Sequence, residues 1–278
     1  AGADNTEFSI AVASAGAVDL TSAGVSGAGY TVTSTGTSAI TGSAGVDALT
    51  NTSGNATFVG LAGIDTFTAT DGAMTISDLG AGGLVDIVDL NNGTVIGTAT
   101  GAWTASSATD NAGADNTEFS IAVASAGAVN LTSAGVSAAG YTVTSTGTSA
   151  ITGSAGADAL TNTSGDATFV GLAGIDTFTA TAGAMTISDL GAGDLVDIVD
   201  LNDGATVVGT ATGAWTASSA TDNDSGSTNA AFSIAVASLG AVDLSSASTT
   251  DAGYTVVSTG TSAITGSDDA DALTNTSG

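Results

Sequence analysis

The segment 33–77 divides into five consecutive blocks of nine residues, and this period constrains the fold more than any other feature of the chain. Glycine occupies the fourth position of every block, and a large apolar residue (Ile, Leu or Phe) occupies the eighth. The same five blocks recur at 144–188. A period of nine does not suit an amphipathic helix, whose apolar stripe needs a spacing of about 3.6 residues. The pattern instead predicts one short strand and one glycine turn per block, stacked as a parallel β-solenoid.

A longer repeat contains these blocks. The opening sequence AGADNTEFSIAVASAGAV begins at Ala1 and returns unchanged from Ala112, and a third copy stops within the repeat. This self-similarity divides the chain into repeat 1 (1–111), repeat 2 (112–223) and a partial repeat 3 (224–278). Because the third copy is cut, we expect the chain to be a window on a longer array.

Sequences outside the blocks also favour strands. The stretches EFSIAVA and LVDIVDL alternate or run apolar and are bounded by glycine-rich turns. The predicted fold is therefore all-β, with tandem repeats whose β-roll or β-solenoid segments (33–77 and 144–188) are joined by further strand-rich segments. Whether 1–32 and 78–111 continue the solenoid or form a β-sandwich is left open by the sequence.

The charge of the chain restricts its partners. It has 27 acidic residues and no Lys, Arg or His, which gives a formal net charge of −27. Nothing can neutralise phosphate, so we expect neither nucleic acid nor an anionic membrane surface as a partner. Divalent cations with a preference for oxygen ligands are the expected partners. An apolar content of 42% argues against a disordered acidic chain, and the sequence has no apolar run of about 18 residues that would predict a transmembrane helix.

Two blocks, GSAGVDALT (42–50) and GLAGIDTFT (60–68), carry aspartate at the sixth position. They resemble the nonapeptide G-G-x-G-x-D-x-U-x of RTX proteins, which bind calcium in a parallel β-roll. Ser43 and Leu61 replace the second glycine of that pattern. The segment 76–90 is similar to the strand that often follows such blocks in secreted RTX proteins, and the remainder more loosely resembles repeats of bacterial surface and S-layer proteins. The resemblance implies type I-like export and folding in extracellular calcium.

The spacing of Asp47 and Asp65, two blocks apart, follows if one coil of the roll takes two blocks. The two aspartates would then stack on one edge at about 5 Å, and calcium between them would turn their repulsion into binding. The opposite edge carries no carboxylate at this position (Ser38, Ala56, Met74). We therefore predict Ca²⁺ sites at Asp47 with Asp65, at Asp158 with Asp176, and at Asp271. The alternative is that aspartate only shapes the turn, because its side chain can bond its own backbone.

Other conspicuous residues are assigned structural roles. We expect solvated carboxylates at Asp78, Asp86 and Asp89, packing or junction residues at Trp103 and Trp215, and core residues at Met74 and Met185.

The sequence favours a structural function. Without His, Cys or Lys the usual nucleophile–base pairs are missing, and 2 Trp with 3 Tyr are few aromatics for a glycan-cleaving site, so we expect no enzyme. The tandem array predicts a secreted, calcium-rigidified component of an S-layer, sheath or filament, with copies of itself as partners. The alternative is the stalk of a large calcium-dependent adhesin. An ice-binding variant is disfavoured, because the threonines at position nine are interrupted (Thr41, Thr50, Val59, Thr68, Ser77).

Overall fold

The computed structural model describes residues 8–24, 28–82, 85–115, 117–136, 139–193, 196–202, 204–224, 231–237, 240–248 and 252–276. The fold is all-β, and its parallel sheets form a β-solenoid of about 12 turns. The chain divides into two compact units, unit 1 (Ala1–Thr142) and unit 2 (Val143–Gly278). The boundary between the units lies inside sequence repeat 2, so compact units and sequence repeats are different divisions of the chain.

The strands are short, as expected from one apolar residue per nine-residue block. Unit 1 contains β1 (Ser9–Val12), β2 (Ala17–Asp19), β3 (Thr31–Ser34), β4 (Ala39–Thr41), β5 (Ala48–Asn51), β6 (Asn55–Val59), β7 (Thr66–Ala69), β8 (Ala73–Leu79), β9 (Ile87–Leu90), β10 (Thr94–Ala99), β11 (Ala102–Thr104), β12 (Asp110–Asn111), β13 (Phe119–Val123), β14 (Ala128–Asn130) and β15 (Gly135–Val136). From the last residue of unit 1 onward follow β16 (Thr142–Ser145), β17 (Ala150–Thr152), β18 (Ala159–Asn162), β19 (Asp166–Val170), β20 (Thr177–Ala180), β21 (Gly183–Leu190), β22 (Ile198–Leu201), β23 (Ala205–Ala211), β24 (Ala214–Thr216), β25 (Asp222–Asn223), β26 (Phe232–Val236), β27 (Ala241–Asp243), β28 (Thr255–Ser258), β29 (Ala263–Thr265) and β30 (Ala272–Asn275).

In unit 1 each strand pairs with a strand one coil away rather than with its neighbour in sequence. The first sheet has the order β1-β3-β5-β7-β9-β12-β15, the second contains β2-β4-β6-β8-β10-β13, and β11 pairs with β14. The pairings within this unit are parallel. Parallel pairing of non-consecutive strands is the signature of a coil that returns to the same face once per turn.

The registers measure the length of each coil. Ala39 pairs with Thr57, and Ala48 pairs with Thr66, so a coil in the block region takes two blocks, as predicted. Ser9 pairs with Thr31, and Thr66 pairs with Ile87, so the coils from β1 to β3 and from β7 to β9 are longer than two blocks. The described parts of 1–32 and 78–111 thus continue the solenoid with longer turns and do not form a β-sandwich.

Unit 2 has the same architecture. Its sheets contain β18-β20-β22-β25, β17-β19-β21-β23-β26-β28-β30 and β24-β27-β29. Ala159 pairs with Thr177 and Asp166 with Ala184, which again gives two blocks per coil in the block region. The second copy of the blocks, 144–188, therefore forms the predicted solenoid coils.

Equivalent strands of successive repeats lie in different sheets of the same unit. In unit 1, β1 belongs to the first sheet, whereas its copy in repeat 2, β13, pairs with β10 in the second sheet. In unit 2, β18 pairs with β20, whereas its copy in repeat 3, β30, pairs with β28. One repeat is therefore not a whole number of coils, and the same motif emerges on another face in the next repeat.

The core consists of thin ladders of apolar side chains that stack from strand to strand. The residues at the eighth block position are all fully buried (Ile40, Leu49, Phe58, Phe67, Ile76), as are Met74 and Trp103. Leu49 lies in register with Phe67, which lies in register with Val88. Burial of each such side chain contributes roughly 1.5–3 kcal/mol. The core and packing roles predicted for the methionine and tryptophan residues are confirmed, and their copies Met185 and Trp215 are buried too.

Glycine at the fourth block position is required by close stacking of the turns. Gly54 and Gly72 have φ of +73° and +78°, in the left-handed region that favours glycine. A Cβ on Gly72 would collide with the carbonyl oxygen of Gly54 in the preceding coil. The glycine period is therefore a consequence of turns packed backbone against backbone.

Candidate functional site

The predicted site residues Asp47 and Asp65 lie immediately before β5 and β7. The register of these strands places the two aspartates one coil apart on the same edge, as their spacing predicts. Both side chains are 0% exposed and point into the solenoid rather than outward. Burial changes the chemistry of this edge, because the chain has no cationic side chain that could compensate a buried carboxylate.

The oxygens of Asp47 are occupied by hydrogen-bond donors. The Tyr30 N–H donates to Asp47 Oδ1 at 2.6 Å, and the Ser43 N–H donates to Oδ2 at 2.6 Å. The Ser43 hydroxyl lies 3.1 Å from both oxygens. Asp47 therefore holds the turn of its own coil and the start of β3 in the coil before it.

Successive aspartates are linked through the backbone. The Asp47 N–H donates to Asp65 Oδ1 at 2.9 Å, and the Asp65 N–H donates to Asp86 Oδ1 at 3.0 Å. We call these three residues the aspartate ladder. The carboxylates of Asp65 and Asp86 each accept the N–H of the aspartate one coil earlier, and the Asp47 carboxylate accepts the Tyr30 N–H, so the ladder ties the coils together at this corner.

Asp86 corrects one expectation from the sequence. The sequence predicts a solvated carboxylate, but the residue is 2% exposed, and its Oδ2 also accepts a hydrogen bond from the Gly80 N–H at 2.8 Å. The longer coil between β7 and β9 brings Asp86 to the position directly before β9, which Asp47 and Asp65 hold before their strands. The nine-residue period of glycine does not extend to Asp86. The one signal in the sequence for its burial is therefore an aspartate immediately before an apolar strand.

The other two acidic residues of this region lie at the surface. Asp78 is half-exposed and accepts hydrogen bonds from the N–H groups of Gly60 and Leu61 at 2.9 and 2.7 Å. Asp89 is half-exposed on β9. The solvated role predicted for Asp89 agrees with this exposure, whereas Asp78 also holds a turn.

One oxygen of the ladder has no partner. Asp65 Oδ2 is buried without a hydrogen-bond partner in the described part of the chain. The Leu61 N–H, at the block position where the Ser43 N–H serves Asp47, donates to Asp78 instead. Burial, more than the nearby charges of Asp86, Asp47 and Asp78, raises the pKa of Asp65 to about 8.

Repeat 2 reproduces the ladder. The Asp158 N–H donates to Asp176 Oδ1 at 2.9 Å, and the Asp176 N–H donates to Asp197 Oδ1 at 3.1 Å. Asp176 Oδ2 again lacks a partner, and burial raises the pKa of Asp176 to about 9. The repetition shows that the bare oxygen belongs to the motif and not to one copy.

Asp271 in repeat 3 has part of this arrangement. It is half-exposed and accepts hydrogen bonds from the N–H groups of Tyr254 and Ser267 at 2.8 and 2.7 Å. These donors match those of Asp47, so Asp271 corresponds to the first member of a ladder.

The fit of calcium to these residues differs along the ladder. Calcium needs six to eight oxygens at about 2.3–2.6 Å, whereas N–H and O–H donors point at both oxygens of Asp47. Asp65 offers one bare oxygen. Within the described ranges, no three or more acidic side chains are grouped so that they could hold a metal ion. The donors around Asp47 therefore do not fit a calcium ion shared by Asp47 and Asp65, whereas Asp65 and Asp176 each keep one bare oxygen.

The outer face of the first sheet carries a rank of threonines. Thr33 pairs with Thr50, which pairs with Thr68, and the rank continues with Asp89 and Asp110. A rank contains residues from every second block, because each coil takes two blocks. The order of position-nine residues along the sequence therefore does not give the order of residues in a rank. The rank ends in adjacent like charges after three threonines, which does not provide the long flat array that ice binding needs.

Comparisons with protein-family models, with curated proteins and with solved structures found no match to this chain. The resemblance to RTX proteins therefore depends on the quoted blocks alone and stays a prediction. Among the residues that the structure describes, no helix is long and apolar enough to cross a membrane.

Proposed function

We propose that this chain is a structural repeat protein of an extracellular assembly, such as an S-layer, sheath or filament, with no catalytic role. The observation that carries the proposal is the stacking of coils in register over buried apolar ladders in each unit. Such a stack grows by repeat number, because each coil contacts only its neighbours. A protein built this way supplies length and stiffness.

Calcium dependence is part of the proposal, centred on Asp65 and Asp176. A buried carboxylate oxygen without a hydrogen-bond donor, in a chain without cationic side chains, is expected to keep a proton or to bind a cation. Their bare Oδ2 atoms are the places where a hard cation would replace the proton. Folding would then be coupled to the ion, so the chain would be most stable where calcium is abundant.

The test is urea unfolding of the full chain, followed by circular dichroism, in EGTA, in calcium and in magnesium. We expect calcium to raise the unfolding midpoint of the parent chain. The variant Asp65→Asn/Asp176→Asn should lose this response, and the matched control Asp89→Asn should keep it. Equal midpoints in EGTA and calcium would reject the calcium part of the proposal.

Assembly needs a separate test. Negative-stain imaging of the native material should show sheets or filaments that contain this chain. Isolated stalks that carry a distinct terminal domain would instead support the adhesin alternative.

A further inference from the structure

The turn between β9 and β10 holds the one Asn-Gly pair of the sequence, Asn92–Gly93. Asn92 is exposed, and Gly93 has φ of +95°. Within the described part of the chain, the Gly93 N–H makes no hydrogen bond. An exposed side-chain amide is therefore followed by an unengaged backbone nitrogen with no side chain to shield it.

The equivalent turn in the preceding coil shows that a turn at this place in the stack can bring a backbone nitrogen close to the preceding side chain. The register of Thr94 with Ala73 stacks the Asn92–Gly93 turn on the Asp71–Gly72 turn. In that lower turn the Gly72 N–H donates to Asp71 Oδ1 at 2.8 Å, so the backbone nitrogen faces the preceding side chain. The backbone of this type of turn thus brings the glycine nitrogen within hydrogen-bond distance of the preceding side chain.

We propose that Asn92 is a site of non-enzymatic deamidation. The Gly93 backbone nitrogen bonds to Asn92 Cγ, the Cγ–Nδ2 bond breaks, and ammonia leaves with the proton from the Gly93 nitrogen. Water then opens the resulting succinimide at either carbonyl and yields aspartate or its β-linked isomer. The exposed turn admits the water, and glycine offers no steric barrier to ring closure.

The modification adds a carboxylate directly over Asp71. The sequence of repeat 2 has Ala182 and Asp203 where repeat 1 has Asp71 and Asn92, so repeats 1 and 2 each encode one acidic residue in this pair of turns. Asp203 lies outside the described residues. Deamidated repeat 1 would carry two acids, which repel because no cationic side chain is available. The β-linked product also lengthens the backbone of a tightly stacked turn, so it should loosen the pairing of β10 with β8.

The experiment is a time course of the full chain in warm, mildly alkaline buffer, with peptic digestion and peptide mass spectrometry. We expect Asn92 to convert to the acid in both linkages, while Asn55 and Asn130, which precede alanine and leucine, stay amides. An isoaspartyl methyltransferase should label the aged parent chain and not the aged Asn92→Gln variant. Persistence of the Asn92 amide in the intact chain, under conditions that convert a synthetic peptide of residues 88–96, would overturn the proposal. The outcome is independent of calcium and of assembly.

Discussion

Replacement of the two bare carboxylates by amides tests the aspartate ladder most directly. In the variant Asp65→Asn/Asp176→Asn the side chains keep their shape. In the parent chain, Oδ1 of each aspartate accepts a hydrogen bond at 2.9 Å from a backbone N–H of the preceding coil. The Oδ1 of each asparagine can accept the same hydrogen bond. What disappears is the ionisable group at the unpartnered Oδ2. The variant therefore removes the electrostatic cost and leaves the coil-to-coil link in place.

The size of the effect follows from linkage. The folded-state pKa of Asp65 is about 8, against about 3.9 in an unfolded chain. A raised folded pKa means that the folded state binds more protons, so its stabilisation is complete below about pH 4 and is lost as pH rises towards 8 for Asp65 and 9 for Asp176. At pH 7 the cost is at most about 4 kcal/mol for Asp65.

Asparagine avoids this cost at every pH, but its buried Nδ2 gains no acceptor. An unsatisfied buried donor costs about 1–3 kcal/mol. We therefore expect the double variant to be more stable than the parent by about 1–3 kcal/mol per site at pH 7 in EGTA. Below about pH 4 this advantage should disappear, because the parent carboxyls are then protonated in both states.

The assay is urea unfolding by circular dichroism at acidic, intermediate and neutral pH in EGTA. Asp47→Asn is the matched control. Its amide would face the donors that hold Asp47, including the Ser43 N–H at 2.6 Å, so we expect it to lose stability across the whole range. A double variant less stable than the parent at pH 7 without calcium would refute the argument that Asp65 and Asp176 are uncompensated.

Three further predictions concern the fold, each measured by the urea unfolding midpoint. Phe67→Ala should lower the free energy of unfolding by about 3–5 kcal/mol, since Phe67 is 0% exposed. Ile96 is 51% exposed, so Ile96→Ala should change that free energy by about 0.5 kcal/mol or less. Gly72→Ala should cost about 1–3 kcal/mol or more from its positive φ and the collision with the preceding turn; Gly101→Ala, with open space around it, should be near neutral, and equal effects would contradict the stacking argument. Asn51→Ala should cost about 1–3 kcal/mol, because the Asn51 amide donates to carbonyls of two successive turns at 3.1–3.3 Å.

Much of the fold was predictable because it depends on local periodicity. Glycine and one apolar residue in every block specify a turn and a strand, and two such blocks close one coil, as the pairing of Ala48 with Thr66 confirms. The all-β class and the stacking of Asp47 over Asp65 follow from the same period. The burial of Asp86 was not predictable, because it depends on the longer coil that pairs Thr66 with Ile87, and no block marks the length of that coil.

The sequence by itself determined the coil, the apolar ladder and the absence of any internal counter-charge, since these depend on residue type and spacing alone. Only the tertiary structure decided which way each aspartate faces and which donors reach it. The two blocks differ at their second position, which is Ser43 in one and Leu61 in the other. The Ser43 N–H donates to Asp47, whereas the Leu61 N–H donates to Asp78 and leaves Asp65 Oδ2 without a partner. The hydrogen-bond partners of these groups come from neighbouring coils, as with Leu61 and Asp78 or Asp65 and Asp86. The nine-residue period does not specify which of the neighbouring carboxylates accepts a given N–H.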